Sequence, residues 1–207
     1  RQPLEDITAD RLEKSIEGNE IRAEGDVRMT MGDLQFAADS FYYREETLED
    51  PGEFDATGNV LLLQPNARVM AHRVVYRVPP RSSVVADPEA LPLESPDSIE
   101  AAGQEALMKG SFLAERLQLF EPLRGVTADE LYYDFSTQTG YANNARGIVV
   151  VDISGQPTAL RFGAGRLDIT GPESASAQDF WITTSEQDPP LYSLFLKEAS
   201  IENGELV

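Results

Sequence analysis

Two short stretches, IRAEGDV at 21–27 and FDATGNV at 54–60, align on Gly25 and Gly58, 33 residues apart, with Ala23 over Ala56 and Val27 over Val60. A second pattern interleaves with the first. FAADSFYY at 36–43, VMAHRVVY at 69–76 and VTADELYY at 126–133 each carry an apolar residue, Ala two later, an apolar residue five later and Tyr seven later. Asp39 and Asp129 correspond, and His72 holds their place in the middle copy, again 33 residues after Asp39. A repeated unit that cannot bury its own apolar face gains by stacking on its neighbour. These units are short, rich in Val, Phe, Tyr, Ile and Leu, and punctuated by Gly, Asn and acids, which selects β-strands. The spacing predicts alternating Gly strands (21–29, 54–63) and Ala–Asp strands (34–43, 67–76, 126–133). TADRL at 8–12 reads as a shortened Ala–Asp strand, and 139–152 as a Gly-type strand shifted in detail. Further strands are expected over 160–169, 175–184 and 191–201.

Side-chain phase sharpens this. Ile21, Ala23, Gly25, Val27 and Met29 share one face of the first Gly strand, opposite Arg22, Glu24, Asp26 and Arg28. The Ala–Asp strands change phase near the Asp/His position. A bulge or corner there would restore one apolar face and bend the sheet into a trough or roll. The inward candidates are then Ile21, Val27, Met29, Phe36, Phe41, Phe54, Val60, Leu62, Val69, Val74, Leu131 and Phe162. The small Ala and Gly residues either leave space inside or let two faces pack closely, and both readings stay open. Residues 79–112, rich in proline and acid, break the rhythm and read as a surface excursion with a short helix near 99–109. The whole of 1–207 is taken as one domain carrying that insertion.

Chemistry is sparse. With 17 Lys+Arg against 36 Asp+Glu the net charge is −19, which argues against nucleic acid and against an anionic membrane face. No cysteine is present, so neither a disulfide nor a thiolate site exists. No run approaches the ~18 apolar residues of a membrane helix. The start at Arg1 without a signal peptide fits an excised domain or a processed form. His72, the single histidine, reads first as a polar corner residue, because it replaces Asp39 and Asp129. Those two acids sit at repeat equivalents, where turn roles explain them better than a glycosidase pair does. EDPGEFD at 49–55 and DPEALPLESPD at 87–97 lack calcium-loop spacing, and GAG at 163–165 lacks the phosphate-cradle pattern. Trp181 suits burial somewhat better than ligand contact. The residues call for no cofactor and no metal.

ITADRL at 7–12, EIRAEGDVRM at 20–29, LQFAADSFYY at 34–43, FDATGNVLLL at 54–63 and VTADELYY at 126–133 resemble the LptA/OstA-like family of lipopolysaccharide export. DFWITTSEQDPPLYSLFLKEASI at 179–201 is similar to the segment closing the N-terminal periplasmic domain of LptD-like assembly proteins. Two departures, Ser185 where that family has cysteine and the long 79–112 excursion, suit a divergent, cyanobacterial-type lineage. The resemblance implies an all-β jelly roll of stacked antiparallel strands, a β-taco, without enzymatic activity. Its apolar groove would guide the acyl chains of lipopolysaccharide or a related amphiphilic glycolipid. Its edges would take an LptA-type bridge protein by strand addition, and a membrane β-barrel would follow in the full-length protein. The implied place is the periplasm, attached to the outer membrane. Two other readings compete: a non-catalytic β-repeat scaffold or adhesion module with a solid core, and a hydrolase on a β-roll.

Overall fold

The structure, a computed structural model, describes residues 7–15, 19–31, 33–80, 110–153, 155–172, 174–202 and 205–206. Among them thirteen strands form a single antiparallel sheet, and no helix occurs. The strands are β1 (Ile7–Thr8), β2 (Arg11–Lys14), β3 (Glu20–Met31), β4 (Leu34–Arg44), β5 (Gly52–Gln64), β6 (Ala67–Val78) and β7 (Ser111–Glu121). They continue with β8 (Arg124–Asp134), β9 (Thr139–Ile153), β10 (Gln156–Gly171), β11 (Ser174–Thr183), β12 (Leu194–Glu202) and β13 (Glu205–Leu206). From β3 onward each strand pairs with the next, and β1 and β2 both pair with β3. The expected all-β meander is what forms.

Three details differ from the sequence reading. The strand β7 begins at Ser111, so the excursion ends before residues 111–112; the proposed helix at 99–109 lies outside the described residues. The rest of β7 falls outside the repeat pattern because the strand carries no Gly–Asn pair. The register bulge sits on the Gly strand facing the Asp position: the ladder steps from Glu24–Ser40 to Val27–Ala38, so Gly25 and Asp26 supply the extra residue in β3. Gly58 and Asn59 repeat this in β5. Both members of each pair have positive φ: +76° and +43° in β3, +75° and +49° in β5. TADRL behaves as a shortened Ala–Asp strand, with Asp10 against Gly25 as Asp39 is against Gly58.

The later odd strands turn the same corner with one left-handed residue each, Arg116 in β7, Asn144 in β9 and Asp179 in β11. Losing one residue from the bulge gives these strands the phase step of the Ala–Asp strands, so the 139–152 segment looked shifted. The even strands step at Asp39–Ser40 and its equivalents, and the common apolar face is restored: Phe36, Ala38 and Phe41 are all buried.

Aligned corners fold the sheet onto itself. Phe36 pairs with Leu62, eight residues along β5 from Phe54. A straight strand would separate those levels by about 26 Å. The Phe36 and Phe54 ring centroids are 5.5 Å apart, edge to face, and Phe41 joins them at 5.7 and 5.1 Å.

Tight turns link the strands. Between β8 and β9, the Asp134 carboxylate accepts bonds from Ser136 N (2.8 Å), Ser136 Oγ (2.5 Å) and Thr137 N (3.3 Å). The Ser136 hydroxyl, ahead of the opposing effect of burial, lowers the Asp134 pKa. A depressed folded-state pKa contributes stability above the unfolded value, about 4, that is lost as pH falls through the folded value. Asp134→Asn is therefore expected to cost about 0.5–1 kcal/mol at pH 7, reduced by solvent screening, and almost nothing near pH 2.5. Urea unfolding at the two pH values measures it; an equal loss at both would refute the charge argument.

Candidate functional site

The inner surface is built from rows running across the strands. Beside the corner, one row reads Ala23, Phe41, Ala56, Val74, Ala114, Leu131, Ala142, Leu167, Ala177 and Ala199, each in register with the next. Across the corner, Val27 meets Ala38, Val60 meets Ala71, Leu117 meets Ala128, Ala145 meets Ala164 and Phe180 meets Leu196. Further out, Ile7, Met29, Phe36, Leu62, Val69, Leu119, Val126, Gly147, Phe162, Ile182 and Leu194 form a third row. No charged side chain interrupts these rows.

The two halves of the roll fill that surface differently. From β1 to β7 large residues alternate with Ala and interlock into one core, in which Val27 is 0% and Val60 2% exposed. On either side of the corner the inward residues of β9 are Gly140, Ala142, Ala145 and Gly147, and a larger side chain, Val149, follows only farther out. After β7 the buried apolar residues, among the described ones, are all alanines: Ala128, Ala142 and Ala145 in one cluster, Ala164, Ala177 and Ala199 in another. Leu131, Leu167, Phe180 and Leu196 lie over them only half-buried. This half therefore presents apolar surface that the described side chains do not cover.

Ten of the twelve inward candidates lie in these rows, and Ile21 and Phe54 lie in a further row, both in register with Tyr43. Val27, Met29, Phe36, Phe41, Val60 and Val74 belong to the closed core, and Ile21, Phe54, Leu62, Val69 and Leu131 pack against it. Phe162 lies across Gly147, where a Cβ would come within 2.5 Å of its ring. Sequence reasoning missed Leu167, Phe180 and Leu196. Leu167 was legible, since Phe162, Ala164, Leu167 and Ile169 repeat the spacing of 36–43 without its Tyr. At the rim, burial raises the Tyr76 phenol pKa, with Glu46 adding to it, so the ring is neutral at physiological pH.

The remaining singled-out residues take outer or local roles. Trp181 faces outward, stacked on Gly163, where a Cβ would lie 2.6 Å from Cε2, and beside its cross-strand partner Phe195. Asp39 and Asp129 accept bonds from Asn59 (2.9 Å) and Asn144 (2.7 Å). Buried Ser185 accepts the backbone N–H groups of Gln187 and Leu191 on Oγ and so closes the loop before β12. Arg166 stands 4.1 Å over the Tyr141 ring on the outer face, whose phenol is raised chiefly by its 2.7 Å bond to Glu130.

Among solved structures, the chain is similar to LptH of Pseudomonas aeruginosa, described as the LptA-homologous periplasmic component of the lipopolysaccharide transport device. The identity is 11% and the TM-score 0.42, over 69% of this chain and 86% of that one. No family model and no curated protein matches the sequence.

The two ends of the sheet differ from its middle. Ile21–Met29 is covered by β1 and β2, so among the described residues the first open edge is that of Ile7–Lys14. At the other end β13 pairs only with Ile201 and Glu202. Leu194–Ser200 has no second neighbour among the described residues, and Phe195 there is 73% exposed.

Proposed function

We propose that the chain is a lipid-conducting β-roll of the lipopolysaccharide export machinery, most closely the N-terminal periplasmic domain of an LptD-like protein at the outer membrane. The observation that carries this is the uninterrupted apolar inner face, closed by side chains in β1–β7 and left half-exposed over alanines in β8–β12. Burying each CH₂ of an acyl chain on such a surface contributes about 0.8 kcal/mol. The motifs at 20–29, 34–43 and 179–201 support the family reading. The inner rows hold no nucleophile and no facing carboxylates, which favours transport over hydrolysis. With a net charge of −19, the exterior keeps anionic headgroups outside the roll or bridged by cations.

Partners fit the open edges. Unpaired N–H and C=O groups on Ile7–Lys14 suit an LptA-type bridge protein adding a strand, and Leu194–Ser200 suits the neighbouring barrel. The closed half favours the scaffold reading for β1–β7 alone, so the test must separate the halves. Photocrosslinkers at Leu131, Leu167 and Phe180 are expected to capture lipopolysaccharide during active transport, with none captured from outward Arg22 or Glu24. A folded, transporting protein that yields no lipid adduct from any inner position would leave the solid scaffold as the better account.

A further inference from the structure

The corner carries a ladder of its own on the outer face. At two rungs an Asp of an even strand accepts a bond from the left-handed Asn of the next odd strand: Asp39 with Asn59, Asp129 with Asn144. Between them lies the rung of β6 and β7. Here His72 replaces the Asp and Arg116 replaces the Asn, facing each other between the pairs Met70–Gln118 and Arg73–Glu115. Acceptor and donor have both become bases. Arg116 also adopts φ +53°, a conformation that Asn tolerates and a long side chain rarely takes.

The surrounding charge is equally unusual. In a chain with 36 acids, Arg11, Arg22, Arg28, Arg44, Arg73, Arg77, Arg124, Arg161 and Arg166 each pair with a carboxylate. The described arginines without one are Arg68, Arg116 and Arg146, all on this face. Arg68, His72 and Arg116 line one cleft of about 400 Å³ with Asn59, Met70 and Gln118, and no carboxylate borders it. Glu115, next in sequence to Arg116, is engaged by Arg73 at 3.7 Å. Arg116 and Gln118 also border the adjoining cleft with Arg146, where Asp129 and Asp179 supply negative charge but form no ion pair with either arginine.

We propose that the Arg68–His72–Arg116 cleft is an anion site for a phosphate group, the external anion supplying the negative partner that this rung lacks. Guanidinium groups match phosphate oxygens in charge and fork geometry. The Gln118 amide, together with the Asn59 amide oxygen left by that side chain's bond to Asp39, suits the hydroxyls of a phosphorylated sugar. The site lies on the face opposite the apolar rows, so it stands independently of the lipid path.

The test exploits the repeat. The double variant His72→Asp/Arg116→Asn restores the rung seen at Asp39–Asn59 and is expected to fold at least as well as the parent. Arg68→Ala, an exposed strand position, is the second variant. Titration calorimetry of the whole chain uses inorganic phosphate, glucosamine 1-phosphate and, as control, glucosamine. Saturable binding of both phosphates, at least about tenfold weaker in either variant, and none of glucosamine is expected. Tighter glucosamine 1-phosphate identifies a sugar-phosphate headgroup as the ligand; equal affinities identify free phosphate. No saturable binding, or binding unchanged in the folded double variant, overturns the site.

Discussion

Truncation of Phe36 to Ala is expected to lower the unfolding free energy by about 3–5 kcal/mol, a large part of what a domain possesses. Phe36 is 3% exposed and touches Phe41 and Phe54 edge to face across the corner. Its removal deletes the side chain that joins the two walls and leaves a cavity between its cross-strand partners Met29 and Leu62. Leu167→Ala is expected to cost about 1 kcal/mol, because that side chain is already half in water. Urea unfolding with an unchanged slope gives both values. Comparable losses at the two positions would mean that the second half is packed as tightly as the first, which would remove the basis for a path there.

Gly58→Ala is expected to cost about 2–4 kcal/mol, from left-handed strain and steric overlap together. Gly58 has φ +75°, and an added Cβ would lie 2.8 Å from Asp39 Cβ and against its carboxylate. Gly155 provides the control: its φ is +82°, yet nothing stands within 4 Å of the added atom. Gly155→Ala should therefore lose only about 1 kcal/mol, the conformational part. The Gly58 variant should also expose the corner, seen as faster amide exchange at Val60 and Ala71. If both glycine variants lost the same amount, the close approach of Asp39 would have no energetic weight.

Periodicity made most of the roll readable. The 33-residue spacing located β3 to β6, and VTADELYY added β8, because each repeat writes its small residue and its phase change at a fixed place. The inward candidates came from strand phase together with a corner at the Asp/His position, since side-chain direction along a strand is a local property and one extra residue reverses it. What escaped was β7, where Arg116 stands for the Gly–Asn pair and the inward spacing changes by one residue. Likewise, Ala and Gly at 140, 142, 145 and 147 looked the same as Ala and Gly elsewhere. Whether a small residue marks close packing or uncovered surface depends on what the opposite wall brings to it, across many residues of sequence. In β3–β6 the facing positions carry Phe36, Phe54 and Val60, and the interior closes; around β9 alanines meet only half-buried Leu131 and Leu167, and it does not. The same holds for the outer face, where the sequence shows His72 and Arg116 44 residues apart, and pairing across the excursion sets them on one rung.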